Sequence, residues 1–398
     1  LYTLIINSYD RNLNLEEIAP ENLHKMIVLT TPKLENSHMF KYYEEIPEMS
    51  ENEYLESRVL ELSKIYNIHT IIAHDEYDLI RVGRIRDRLD IAGQSEKSGV
   101  SFRNKVIMKE HAKNSVATPH YRQVQSIFDV YDFAAEHGYP LIIKPIDQGA
   151  SRGLTIVHNE EDIKEYSKKT QQYSMEVETF VDGEMYHIDS LFINGNEILT
   201  SVSKYWNGCI AFTNNSSLGS YQLHSESKEA IEVKEFLKQL LLSFECPENA
   251  VYHCEVFRDR EGKLIFCEIA SRYGGGYILQ AVEETYGINI KNAWFRAQMG
   301  LEQKDVPREE QKLHGFLLVP PIKGKLTGIP ESIPFDWVKV YQKSEVGTDF
   351  NLPARSIDKV AGIMIEGESS DILKERLNRL DAWFRSQLSW SSESDSAH

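Results

Sequence analysis

The sequence is poor in cysteine, in positive charge and in long apolar runs, and each shortage removes a class of function. Four cysteines stand among 398 residues, Cys209, Cys246, Cys254 and Cys267, and none forms a Cys-x-x-Cys pair. Neither a zinc site nor a disulfide framework is indicated. Lys and Arg number 44 against 61 Asp and Glu, a formal charge of −17. A phosphate-backbone binder needs clustered Lys and Arg, so no nucleic-acid partner is expected. The first apolar run, Leu4–Ile6, is far too short for a signal peptide or a spanning helix. No membrane partner and a cytoplasmic location are therefore expected, and the start without Met reads as processed or trimmed. No internal repeat precedes the polar, Ser-rich tail 391–398, which is expected to be disordered.

What remains is an α/β chain. Leu4–Ile6, Met26–Leu29 and Thr70–Ala73 read as short buried strands, with a helix over Glu53–Tyr66 between two of them. That rhythm predicts a small Rossmann-like parallel sheet. No Gly-x-Gly-x-x-Gly follows its first strand, so it is not a dinucleotide site by motif. A helix over Arg103–Asn114 leads to a second unit, in which Phe128–Glu136 is helical and Leu141–Ile146 and Leu154–His158 are strands. Strands dominate from Met175 to Arg272. One helix, Lys228–Phe244, places Val233, Phe236, Leu237, Leu240, Leu241 and Phe244 on one face. A late strand, Ala361–Glu366, precedes an amphipathic helix carrying Leu373, Leu377, Leu380, Phe384 and Leu388.

Two carboxylates carry the first chemical signal. Val251–Arg258 and Lys263–Ile269 read as strands joined by Asp259-Arg260-Glu261-Gly262, a hairpin signal. In the simplest register Arg258 opposes Lys263, Glu255 opposes Phe266, and Glu268 shares the face of Glu255. Two like charges so close in an apolar ribbon are costly unless a cation lies between them. Hard oxygen donors of this kind suit Mg²⁺ shared with substrate phosphates, whereas the plain alternative is two glutamates on a solvated face. After Glu268, Arg272 and Gly274-Gly275-Gly276 precede a helical run, Ile278–Tyr286, placing a fixed cation beside a backbone nest suited to an anion.

The second signal is Lys144, in the middle of an apolar strand before Asp147-Gln148-Gly149-Ala150-Ser151-Arg152-Gly153. A lysine there either snorkels out or holds an anion, and the small-residue loop offers backbone N–H groups to phosphates. It is not a Walker loop, having no Gly-Lys-Ser/Thr. Gly149-Ala150-Ser151-Arg152-Gly153 also fits Gly-x-Ser-x-Gly, the elbow of serine hydrolases. An elbow needs a strand before it and a helix after it, and the β-branched Leu154–His158 argues against that reading.

In this order, Lys105 at a helix start, Lys144, Glu178-Thr179-Phe180-Val181, and the pair Glu255 and Glu268 followed by Arg272 resemble the ATP-grasp superfamily over roughly residues 102–301. Gly183-Glu184-Met185-Tyr186-His187-Ile188-Asp189, the stretch Arg84–Gly93 and Arg272–Gly276 resemble its L-amino-acid ligase group. The resemblance implies an ATP-grasp fold, α/β with an α+β core, an N-terminal Rossmann-like parallel sheet and a C-terminal α+β extension. It divides the chain into a pre-ATP-grasp domain (1–98), a connecting helix and lid (99–177), the core with the metal and phosphate site (178–310), the extension (311–390) and the tail (391–398).

It further implies ATP with Mg²⁺ (Mn²⁺ as a substitute), free L-amino acids as substrates, and dipeptide synthesis through an acyl phosphate with release of ADP and phosphate, as in antibiotic pathways. By the same resemblance Lys105, Lys144 and the loop residues Gly149, Ala150 and Ser151 meet phosphates. Glu178, Phe180 and Val181 hold adenine, Glu184 takes the ribose, and His187 lies near the nucleotide. Glu255 and Glu268 bind the metal, Arg272 stabilises the carboxylate and oxyanion, and Ser151 and Gly276 border the chemistry. The sequence departs from the family pattern at Met185, where the ribose acid usually stands, and at Ala270, where an Asn often follows the metal glutamates. His187 and Asp189 equally fit a hydrogen-bonded pair supporting the sheet. A carrier-protein thiol or non-α-amine as acceptor, a nucleotide-binding regulatory protein without turnover, and a homodimer stay open.

Overall fold

The computed structural model describes residues 1–169, 174–208 and 215–391. Its first sheet is fully parallel, in the order β3-β2-β1-β4, with β1 Tyr2–Asn7, β2 Met26–Thr30, β3 Tyr42–Glu45 and β4 Ile68–Ala73. The three expected strands are present. The fourth, β3, carries Tyr42-Tyr43-Glu44-Glu45, too polar at an edge to stand out as a buried run. Helices α1 (Leu15–Ile18), α2 (Tyr54–Ser63) and α3 (Leu79–Leu89) accompany this sheet. Leu4, Ile6, Ile27 and Leu29 point to one layer with α2 and α3, while Ile5 and Val28 point to the other. That is the two-residue alternation of a strand buried on both faces.

Helices α4 (Glu96–Ser101) and α5 (Lys105–Ala112) lead to a second, antiparallel sheet of order β5-β8-β6-β7. Its strands are β5 Tyr121–Val124, β6 Leu141–Pro145, β7 Thr155–Val157 and β8 Met175–Thr179. Helices α6 (Ile127–His137) and α7 (Glu160–Ser167) cover one face, packing Val130, Phe133, Ile163 and Tyr166 against Leu141, Ile143 and Val177.

The third sheet is antiparallel and has eight strands, in the order β13-β12-β9-β10-β11-β14-β18-β16. In chain order its first five are β9 Gly183–Ile193, β10 Asn196–Tyr205, β11 Leu218–Gln222, β12 Ala250–Asp259 and β13 Leu264–Ala270. The others are β14 Leu313–Val319, β16 Val338–Lys343 and β18 Ala361–Gly367. Helix α8 (Lys228–Leu241), through the stripe read from the sequence, and α11 (Ser370–Gln387) pack on one face with Tyr186, Ile188, Val202, Tyr252, Cys254 and Val256. The helices α9 (Ile278–Tyr286) and α10 (Ile290–Gln298) lie toward the other face and reach the first sheet. A small sheet, β17-β15-β19, is formed by β15 Gly324–Gly328, β17 Asp349–Phe350 and β19 Ser389–Ser391. Ser391, expected as the start of a disordered tail, is thus a strand residue paired with Lys325; residues 392–398 of that tail lie outside the described residues. Among the described residues no helix is long and apolar enough to cross a membrane.

Candidate active site

The hairpin β12–β13 pairs in a register different from the simplest one. Arg258 opposes Leu264 rather than Lys263, and Val256 opposes Phe266. That one-residue slip would send Glu268 to the apolar face. A bulge restores it: the register shifts between Glu255 and Val256, Cys267 is the extra residue, and Glu268 sits directly opposite Glu255. A bulge re-aims side chains in this way. The two carboxylates are therefore direct rather than diagonal neighbours, and Glu255 is buried.

Glu255 accepts a hydrogen bond from the Tyr205 hydroxyl at 2.7 Å, and His253 Nε2 lies 3.7 Å from it. Burial works to raise the Glu255 carboxyl, but His253 and the Tyr205 hydroxyl hold it below the usual range. Glu268 pairs with Lys105 at 3.1 Å, and the same ammonium donates to the Gln148 carbonyl at 2.7 Å. So Lys105, capped into α5 by Asn104, links the second carboxylate to the small-residue loop. Two opposed carboxylates with one lysine and one tyrosine as direct partners leave oxygen lone pairs for a hard divalent cation, so the donor set fits Mg²⁺.

Lys144 is buried and pairs with Glu178 at 2.7 Å and with Glu176 at 3.8 Å. Burial alone would lower its ammonium, yet the Glu178 charge above all raises it well above the ordinary value. Lys109, one helical turn beyond Lys105 and fully buried, binds Glu176 at 2.7 Å and Glu178 at 3.0 Å. Desolvation pushes Glu178 up and these two lysines pull it down to about 2. Two lysines and two glutamates thus neutralise one another, which buried charges require. Sequence reasoning missed Lys109 and Glu176. The available signals were the i, i+4 spacing of Lys105 and Lys109 and the i, i+2 spacing of Glu176 and Glu178.

Phe180 and Val181, half-buried, continue from β8 toward β9, with the Phe180 N–H on the Pro140 carbonyl at 3.2 Å. Glu184 is not with them. It shares a strand face with Tyr186 and pairs with Lys204 at 2.7 Å, on the side of the sheet that packs α8. His187, three residues on, faces the opposite side, toward Glu255. The strand's two-residue period prevents both from meeting one ligand; the ribose assignment of Glu184 is therefore withdrawn, and Met185 holds the matching face.

His187 Nδ1 donates to Asp189 at 2.6 Å, its Nε2 meets the Ser220 hydroxyl at 2.6 Å, and His253 Nδ1 donates to Asp189 at 2.8 Å. Against the effect of burial, the two imidazoles hold Asp189 far below the carboxylate range. Burial would lower His253, but Asp189 raises it to about 9. The ring nitrogens facing Asp189 are hydrogen-bond donors, so this buried triad is a charge-paired network rather than a metal cage. The sheet-supporting pair expected of His187 and Asp189 is present, widened by His253.

Arg272 reaches Glu76 with Nε at 2.9 Å and donates to the Tyr273 carbonyl at 2.8 Å. Arg103 binds the other Glu76 oxygen and also the Asp147 carbonyl. Desolvation would raise Glu76, whereas Arg272, Arg103 and Lys105 bring it to about 2. Glu76 is thus the hub of an ion-pair cluster. Asp75 beside it accepts from the Tyr77 N–H at 2.9 Å.

The loop 147–153 joins two antiparallel neighbours, β6 and β7. No helix follows Ser151 directly, which excludes the nucleophile elbow and with it the serine-hydrolase reading. Ala150 and Ser151 are both left-handed (φ 56° and 55°), and Gly149 lies against the Glu76 carboxylate. Gly276 is exposed at φ 64°, with Leu318 and Phe316 at about 4 Å from where a Cβ would lie. There is room for a side chain but the backbone disfavours one, so a bulky substitution there acts through strain as well as volume.

Residues 137–280 match the model of the ATP-grasp domain. Over 263 residues, 64% of this chain, the sequence is 24% identical to an L-arginine-specific L-amino acid ligase of Bacillus subtilis, a match that spans only 63% of that enzyme. The L-amino acid ligase from Bacillus licheniformis superposes with a TM-score of 0.77 at 17% identity, covering 98% of this chain and 99% of that one. A carboxyaminoimidazole ribonucleotide synthase from Aspergillus clavatus, complexed with ATP, gives 0.72 at 15% identity over 96% and 98%. The fold is that of the ATP-grasp enzymes, and the chain resembles L-amino acid ligases.

Proposed function

From an ATP-grasp fold as the premise, we propose that this protein is an ATP- and Mg²⁺-dependent ligase that joins two L-amino acids into a dipeptide. The observation that carries the reading is the direct opposition of Glu255 and Glu268, produced by the bulge at Cys267, beside Lys105. ATP-grasp enzymes in general use ATP and Mg²⁺, and the resemblance to L-amino acid ligases supports the choice of substrates. On this reading Glu255 and Glu268 would hold the metal, which supplies charge neutralisation for the polyphosphate.

The chain's own groups do the rest. Lys144 and Lys105 meet phosphate oxygens, and Phe180 and Val181 border the adenine. The left-handed pair Ala150 and Ser151, following Gly149, turns backbone N–H groups toward the phosphates, a nest suited to anions. An amino-acid carboxylate oxygen attacks the γ-phosphorus and ADP leaves, giving an acyl phosphate. The amine of the second amino acid then displaces phosphate. Positioning and charge neutralisation dominate such a transfer. Arg272 orients the donor carboxylate by exchanging part of its contact with Glu76, and His187 sits behind Glu255 as a positioning group through Asp189 and His253. Closure of loop 147–153 excludes water from the acyl phosphate.

Hydroxylamine intercepts an acyl phosphate. With a preferred amino acid and ATP it yields a hydroxamate and ADP in equal amounts. AMP as the main nucleotide product would overturn the mechanism, whatever dipeptide is made.

A further inference from the structure

A cavity of about 520 Å³ lies between the edge of the parallel sheet and the segment 246–249, beside Ser271. Neither Lys105 nor Lys144, nor either of the opposed carboxylates, lines it. Its walls come from the edge strand β4 (His69, Thr70), from α3 (Arg86), from Gln94 and Ser271, from the segment 246–249, whose Glu248 is exposed, and from Trp294. The volume falls in the range of small-molecule sites.

Arg86 gives the cavity its chemistry. The side chain is 4% exposed. Its two terminal nitrogens donate to neutral acceptors, the Gln94 carbonyl at 3.0 Å and the Ile71 carbonyl at 2.7 Å, and its Nε has no hydrogen-bond partner. Among the described residues no carboxylate pairs with it. Every other arginine buried to that degree has one: Arg103 binds Glu76 and Arg296 binds Glu21. A buried guanidinium without a counter-charge is costly, and desolvation shows in its being lowered to about 10. Gly93 sits so close that a Cβ there would lie 3.0 Å from Nε, so the loop narrows onto the guanidinium. Beside it Gln94, whose carbonyl Arg86 binds, and the Ser271 hydroxyl hydrogen-bond each other at 2.8 Å, one residue before Arg272.

We propose that this cavity is a second binding site, which takes a small aliphatic carboxylate whose charge pairs with Arg86. Gln94 and Ser271 offer it further hydrogen bonds, and Trp294 an apolar wall. The site is independent of the ligase reading, since none of its groups is assigned a part in the reaction.

Cys246 lines the cavity and is exposed, while Cys254 and Cys267 are buried. In a Cys209→Ser background, alkylation of Cys246 by N-ethylmaleimide, followed by intact mass, therefore reports occupancy. Succinate is the probe and succinamide its neutral control. At about ten times its Kd, succinate slows alkylation roughly tenfold and succinamide does not; Arg86→Met removes the protection. Thr70→Trp, which fills the cavity from the half-buried edge strand and keeps Arg86, removes it as well, and serves if Arg86→Met does not fold. No slowing by succinate, equal slowing by succinamide, or protection that survives Thr70→Trp overturns the proposal and leaves Arg86 as a cap on two carbonyls.

Discussion

The two faces of the eight-stranded sheet are both buried and are built from opposite materials. One presents Tyr186, Ile188, Val202, Tyr252, Cys254 and Val256 to α8 and α11. The other presents His187, Asp189, Ser203, Ser220, His253 and Glu255, every one of them under 10% exposed. In most half-polar strands the polar face meets water. Here it meets other polar groups, and His187, Asp189, Ser220, His253 and Glu255 are each held by a named partner. The apolar face keeps the sheet folded, and the polar one is kept at a cost in desolvation that the hydrogen-bond network offsets.

Neighbouring residues on β12 and β13 test this division most sharply. Phe266→Ala, on the apolar face, should cost about 3–5 kcal/mol, visible as a lower denaturation midpoint for the whole chain. A change too small to resolve would mean the α8 face is not the main core. On the other face, Glu255→Gln and Glu268→Gln should each leave the circular dichroism spectrum and melting curve nearly intact. Both should lower the rate of ADP release by about 10²-fold or more. Near-normal turnover of either at saturating Mg²⁺ would remove the shared-cation reading.

A pH titration sharpens the comparison on the polar face alone. His253 is raised to about 9 from 6.5 when folded. Its contribution to stability is thus complete below pH 6.5 and is lost as pH rises through 9. The melting temperature of the wild type should fall across that window, and that of His253→Gln should fall less. Parallel curves would show that the imidazole is not charged in the folded state. The smallest effect belongs to Glu184→Gln. With its partner Lys204 on the α8 side, the KM for ATP should change by less than about twofold, as surface pairs contribute little. A tenfold rise would return Glu184 to the ribose.

Much of this was legible in the sequence. Period-2 and period-3.6 patterns located β1, β2, β4, α8 and α11, and residue types located Lys105, Lys144, Glu255, Glu268 and Arg272, whose roles rest on the proposal above. What escaped notice has physical reasons. A bulge leaves no trace in composition, so the slip at Arg258 and its reversal at Cys267 were invisible, and the shared face of Glu255 and Glu268 emerged by two cancelling errors. Glu184 is misplaced because the nearest acid, one residue off the motif's spacing, lies on the opposite face of a strand whose faces alternate. Lys109 and Glu176 went unnoticed because each finds its partner 67 residues away. A charged residue in a helix or after a strand looks solvated until its counter-charge is found.

The hub at Glu76 has a thermodynamic corollary. Arg103 grips Glu76, just beyond the parallel sheet, with one nitrogen and the Asp147 carbonyl of the loop 147–153 with another, while Arg272 grips the other Glu76 oxygen. A carboxylate that draws Arg272 away and a polyphosphate that moves the loop therefore act on one shared set of bonds. On the ligase reading proposed above, linkage makes such influence mutual: the factor by which the amino acid alters the affinity for ATP equals the factor by which ATP alters the affinity for the amino acid. On this account the two substrates are not independent tenants of adjoining sites, and neither dissociation constant is a property of the protein until the concentration of the other ligand is fixed.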